Sequence, residues 1–171
     1  MNNNTDTLAA GVLPEYGTNR CGEPLVGKST HEQVDILEAS MRKMPEDTKI
    51  DIDSCTKHYF ADGCYVRSIE IKAGGTIVGK LHRKECINIL AKGKVAVVGQ
   101  DGIPVILEAP FVFVAPPYTK KAAYVLEDMI WLNVHPNAEN TKDLNVLEQQ
   151  IIEPNNLLEN KSFSLTHIPI K

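Results

Sequence analysis

Nine short runs heavy in valine, isoleucine, tyrosine and phenylalanine fill the chain from about Thr56 to His135. They fall near 57–60, 64–72, 76–82, 86–91, 94–99, 103–108, 110–115, 121–126 and 129–135. Turn chemistry separates them: Asp62-Gly63, Gly74-Gly75, Lys92-Gly93, Asp101-Gly102, Pro116-Pro117 and Glu127-Asp128. A strand and its turn recur every ~8–12 residues, which leaves no room for the helical crossovers of a parallel sheet. The pattern predicts an all-β core, a single barrel of jelly-roll type.

Helical periodicity flanks this core. Ser29 or Thr30 can cap a helix, with Glu32 or Gln33 three residues on as in a capping box. Val34, Leu37, Met41 and Met44 form its apolar stripe, and Pro45 ends it. Past Pro136, Asn140 or Thr141 can cap a second helix carrying Leu144, Leu147 and Ile151, stopped by Pro154-Asn155-Asn156. That stripe is too short to hold a helix alone, so it must dock on the barrel or on another subunit. The organisation read from these signals is an extended arm over 1–28, a helix and connector over 29–55, the barrel over 56–137, and a helix and tail over 138–171. The tail carries Leu165, Ile168 and Ile170 and could add a strand to an exposed sheet edge.

Composition narrows the setting. A formal charge of −4 gives no global field for nucleic acid. No apolar run approaches the ~18 residues that span a membrane. The start, Met1 to Gly17, lacks the basic and apolar regions of a signal peptide. Cys21, Cys55, Cys64 and Cys86 form no Cys-x-x-Cys pair, which fits reduced thiols in a cytoplasm. Gly22-x4-Gly27-Lys28-Ser29 matches the spacing of a phosphate-binding loop. No strand precedes it and no parallel sheet follows, so that match is set aside.

The stretch from Gly74 to Gly93 carries chemistry as well as fold. Gly74, Lys80, His82, Cys86 and Gly93 occupy the frame Gly-x5-His-x-His-x3-Glu-x6-Gly at every spacing. A second frame, Pro-x-Gly-x-x-His, falls on Pro116, Tyr118 and Lys121. These are the two cupin motifs, and residues 56–137 resemble a single-domain cupin, a double-stranded β-helix. The finer resemblance is to small cupin-like proteins encoded by bacteriophages. Its features are Lys57-His58-Tyr59-Phe60, Asp62-Gly63, Tyr65, Arg67, Ala73-Gly74-Gly75, Gly79-Lys80-Leu81-His82, Ala109-Pro110, Tyr124, Glu127-Asp128, Trp131 and His135-Pro136. The resemblance implies a barrel with flanking helices, a setting in the host cytoplasm or the virion, and host or phage protein partners. It implies no defined activity.

The departures from the motifs bear on the site. Of the usual cupin ligands only His82 is of the expected type; lysine stands at 80 and 121, and cysteine at 86. Protonated lysines would repel a divalent cation, so no metal and no cofactor are expected. Joining His82 to Glu85 and His135 would need Glu85 on the inner face, whereas alternation turns it away from His82 and Cys86. Lys80, His82, Cys86, Asn88 and Lys121 are expected to share the barrel interior, with Tyr65 and Arg67 on a neighbouring strand. Buried lysines need acidic neighbours or an anionic ligand, and few acidic residues are expected inside. That favours a pocket for a carboxylate, phosphate or nucleotide-like anion. Against it stands a plainer arrangement, with Lys120 and Lys121 on a solvated loop and Lys80 reaching the rim. Cys86 lacks a His-Asp relay for nucleophilic catalysis, Trp131 is expected in the core, and His58 and His135 are expected to serve local backbone groups at strand ends.

Three functional classes follow. The first is a non-enzymatic accessory protein that binds a small anion or a protein. The second is a self-associating virion or assembly component. The third is an isomerase-like or metal-dependent enzyme, and the missing ligands place it last.

Overall fold

The computed structural model describes residues 30–98, 103–154 and 163–165. Two antiparallel strands longer than any the sequence suggests organise it: β4 (Cys86–Val98) and β7 (Ala122–Asn137), paired along most of their length. Around them run β1 (Thr56–Ala61), β2 (Gly63–Ile71), β3 (Thr76–Val78), β5 (Pro104–Glu108), β6 (Phe111–Ala115) and β8 (Phe163–Leu165). Beside β7, β2 pairs with the C-terminal half and β3 with the N-terminal half. Beside β4, β6 pairs with the first half and β5 with the second. The sheet thus has two halves: β1-β2-β7-β4-β6 and β8-β3-β7-β4-β5.

A single core shows that the halves face each other. Ile71, Leu90 and Trp131 from one half pack with Val95, Val97 and Val125 from the other, together with Met129 and Ile52. The fold lies where β4 and β7 shift register between Leu90 and Val95. A β-bulge of this kind bends a strand and sharpens its twist. Lys92-Gly93 and Glu127-Asp128, read as turns, are the two sides of that bulge. Gly93 has φ +86°, and a side chain on it would run into the backbone of Glu127 and Asp128. Nine expected strands therefore become seven between Thr56 and Asn137.

Two helices flank the all-β core. α1 (Thr30–Arg42) lays Val34 and Met41 on Val78 and Ala122, with Leu37 and Met44 beside them, the stripe the sequence predicts. Ser29, one of its two candidate caps, and the 1–28 arm lie outside the described residues. α2 (Leu144–Ile151) buries Leu147, while Leu144 stays exposed. Its cap is Asp143, whose carboxylate accepts from the Asn145 and Val146 amides, and not Asn140 or Thr141. Those two are engaged elsewhere: Asn140 holds Gly63 and Asp62 of the β1–β2 turn, and Thr141 exchanges hydrogen bonds with Asn137. The tail adds β8 antiparallel to β3, on this chain's own sheet. Among the described residues no helix is long and apolar enough to cross a membrane.

Candidate functional site

Strand register assembles the site. Arg67 lies opposite Asn133, Asn133 opposite Asn88, and Asn88 opposite Phe113, a row running across β2, β7, β4 and β6. The next row pairs Tyr65 with His135, and Cys86 with Ala115. Side chains two apart share a face, so these rows stack inside the barrel. Asn88 is fully buried, and its amide is saturated. Its Oδ1 accepts from Trp131 Nε1 at 3.2 Å and from Asn133 Nδ2 at 2.7 Å. Its Nδ2 donates to the Cys86 carbonyl at 3.0 Å and to Cys86 Sγ at 3.4 Å.

His82 arrives by a different route. β3 stops at Val78, not at 82 as the sequence suggests. The Gly79 amide still meets the Lys121 carbonyl and the His82 carbonyl the Tyr118 amide, and beyond Gly79 the chain is also held from outside the barrel. The segment after α2 clamps it. His82 bridges to Ile152, the Arg83 amide donates to the Ile151 carbonyl, and the Glu153 amide donates to the Leu81 carbonyl. This clamp brings His82 Nδ1 to 3.2 Å from Cys86 Sγ and its ring to 5.1 Å, edge-on, from the His135 ring. His135 stacks on Tyr65, whose hydroxyl meets His58 Nδ1 at 2.7 Å.

A cavity of about 790 Å³ opens over this cluster, lined by His58, Tyr65, Arg67, Lys80, His82 and His135 and roofed by Leu147 and Ile151 of α2. A smaller space of about 90 Å³ continues inward past Asn88, Lys121 and Trp131. The two share Ile52, Arg67, Lys80, His82 and Asn133. Six of the seven expected site residues line one or the other, and Cys86 is tied to both histidine and asparagine.

The lysines differ from the expectation in two places, one in the cavity and one beside α1. Lys80 has an acidic partner after all, Glu148 of α2, a residue outside the barrel segment. Lys120 is not on a solvated loop. It is 4% exposed and bonded to Asp35 and Glu38 of α1 at 2.5 and 2.6 Å. Lys121 and Arg67 are half-buried and, among the described residues, their side chains take part in no ion pair or hydrogen bond. Burial pulls the Lys121 ammonium below its ordinary value, and its one close aromatic contact is Phe113, with Nζ 5.8 Å from the ring centre.

Burial and these cations hold the imidazoles neutral. His82 is pushed down to about 3, by burial first and then by His135, Lys121, Arg67 and Lys80. His135 is pushed down to about 4, by burial and then Arg67 and Lys121. The Cys86 thiol is raised by burial, opposed by Lys121 and the amides of Asn88 and Asn133. Histidines whose native values lie below the unfolded one bind fewer protons when folded, so stability is full above pH ~6.5 and falls as pH drops. In chelator-treated protein, urea denaturation at pH 7 and pH 5 should show a loss of about 2 kcal/mol per histidine. Equal stability at the two pH values would mean that water reaches both rings.

Sequence reading misplaced both His58, whose Nδ1 meets the Tyr65 hydroxyl, and, with more consequence, His135. It does not serve a backbone group at a strand end. It stands within 4.8 Å of the donor atoms of both His82 and Cys86. A signal was available: His135 is four residues from Trp131 on one strand, so an inward tryptophan implies an inward histidine. Glu85 is exposed, as alternation requires, and takes no part.

No family model and no curated protein sequence matches the chain. Solved structures do. KdgF from Halomonas sp. is 18% identical over 57% of this chain and 89% of that one, with a TM-score of 0.43. An RmlC-like cupin family protein with a double-stranded β-helix fold, from Methanocaldococcus jannaschii, is 16% identical over 60% and 93%, with a TM-score of 0.42. An uncharacterised protein from Klebsiella pneumoniae with a double-stranded β-helix domain is 16% identical over 58% and 85%, with a TM-score of 0.44. These likenesses concern the fold and carry nothing about ligand or activity.

Proposed function

We propose that the cupin-like barrel binds a small anionic molecule, carboxylate- or phosphate-bearing, in the cavity between Arg67 and Lys121. One observation carries this reading. The other cations that are largely withdrawn from water, Arg42, Lys49, Lys80 and Lys120, each have a carboxylate, whereas Arg67 and Lys121 have none among the described residues. A charge taken out of water without a partner is costly, and a bound anion supplies the partner. Arg67 offers a planar fork suited to a carboxylate or phosphate edge, and Lys121 a point charge deeper in. Tyr65 and the neutral imidazoles add hydrogen-bonding groups without adding charge.

Binding fits better than acid–base catalysis. With values of about 3 and 4, His82 and His135 are weak proton acceptors near neutral pH. The phage setting and a host or phage protein partner rest on sequence resemblance alone, and the non-enzymatic role rests on the cupin ligands that are lysine at 80 and 121 and cysteine at 86. Self-association draws on one feature, an exposed apolar row on the outer face formed by Ile87, Val112 and Val114.

Calorimetric titration with inorganic phosphate and a panel of small carboxylates tests the reading. Arg67→Ala and Lys121→Met should each weaken the best ligand by roughly tenfold or more, the worth of one charge-assisted hydrogen bond. Lys121→Met should also hold or raise the melting temperature, because it removes a buried charge while keeping similar bulk. Unchanged affinity in the double variant, or no binding of any anion by the native chain, would sink the proposal.

A further inference from the structure

Spacing along the sequence offers a metal only His82 and Cys86. The fold adds a third donor, His135, that belongs to neither spacing motif. One ligand atom from each of the three lies within 4.8 Å of the others. His82 Nδ1 and Cys86 Sγ are already 3.2 Å apart. A tetrahedral zinc ion, with Zn–N about 2.0–2.1 Å and Zn–S about 2.3 Å, sets its ligand atoms about 3.3–3.6 Å from one another. Small side-chain rotations bring the three donors to that separation.

The surroundings of the sulfur point the same way. Asn88 Nδ2 lies 3.4 Å from Cys86 Sγ and Asn133 Nδ2 lies 3.9 Å from it. A thiol is a weak acceptor with little call on two amides, whereas a metal-bound thiolate is held and tuned by such donors. The ligands are also fixed independently: Cys86 begins β4, His135 sits near the end of β7, and His82 is clamped by the chain after α2. Both imidazoles border the main cavity or its inner extension, so a fourth position faces that space.

We propose that His82, Cys86 and His135 bind a thiophilic divalent cation, zinc by preference, through two imidazoles and one thiolate, with the fourth position open to the cavity. The set differs from the histidine and glutamate ligands of the cupin frame, two of which are lysine here. Thiolate and imidazole together suit zinc over magnesium or calcium. Binding transfers the Cys86 proton to solvent and leaves the sulfur as a thiolate on the metal. Arg67 and Lys121 disfavour a bare dication. An anion in the fourth position restores the balance, and this last step rests on the anion-binding reading above.

The test uses the full chain, stripped with a chelator and held in phosphate-free chloride buffer. Titration with Co²⁺ should give stoichiometric uptake and a sulfur-to-cobalt charge-transfer absorption that Zn²⁺ then abolishes. Cys86→Ser should remove the absorption. His135→Gln should weaken Zn²⁺ by more than the roughly 10–100-fold that loss of an outer-shell partner costs. Cys64→Ser, outside the cavity lining, should change neither. A native chain that takes up no stoichiometric metal overturns the site, and that measurement depends on no variant. So does a charge-transfer band that survives Cys86→Ser. Normal Zn²⁺ uptake by the Arg67→Ala, Lys121→Met double variant supports the ligand set even where anion titrations fail, so the two readings fail separately.

Discussion

Lys120→Ala is expected to lower folding stability by about 3–5 kcal/mol, the usual cost of removing one partner from a buried ion pair. Lys120 is 4% exposed and meets both Asp35 and Glu38, while Glu38, 6% exposed, also meets Arg42. Without the ammonium, the Asp35 and Glu38 carboxylates share one partly buried contact between α1 and the segment leading into β7. Urea denaturation measures the loss, and hydrogen exchange should show α1 amides opening before those of β4. Removing the charges as a group should recover part of the loss: Lys120→Met with Asp35→Asn and Glu38→Gln leaves no carboxylate unpaired. A loss under about 1 kcal/mol for Lys120→Ala would mean that the cluster behaves as an exposed pair.

Gly93→Ala should be comparably damaging, at about 3–5 kcal/mol, in the range of a named backbone mechanism. Its φ of +86° is costly for any residue with a Cβ. The added carbon would also stand 2.7 Å from the Glu127 carbonyl oxygen and closer still to that of Asp128. Neither obstacle is a side chain that can turn away. Gly63→Ala is the matched comparison, since it shares a positive φ of +67° but meets nothing within 4 Å. It should cost only about 1–2 kcal/mol, the left-handed strain alone. Equal midpoints in urea for the two variants would show that the bulge yields, and that β4 and β7 do not depend on close approach there.

Gly93 also shows why part of the fold was legible and part was not. Lys92-Gly93 and Glu127-Asp128 were each correct signals of a break in regular pairing. A bulge and a hairpin turn use the same glycine and acidic residues, because both need positive φ or a local loss of ladder bonds. Only the pairing of β4 with β7 shows that the two breaks lie opposite each other. The α1 stripe was legible because four apolar residues at helical spacing have one way to be buried. The α2 cap was not, because Asn140, Thr141 and Asp143 are all cap formers. The choice fell to Asp143 once Asn140 was engaged by the β1–β2 turn.

The sequence by itself determined an all-β barrel with two flanking helices, and an interior shared by Lys80, His82, Asn88 and Lys121. Period-two alternation and turn spacing are local properties, written in consecutive residues. Tertiary structure decided the chemistry of that interior. His135 comes from a strand some fifty residues beyond Cys86, Glu148 from a helix outside the barrel, and Asp35 and Glu38 from a helix before it. Charge balance and the spacing of donor atoms depend on distances of a few ångströms between such remote positions. Strand register and helix docking set those distances, and neither is encoded in any single stretch of the chain.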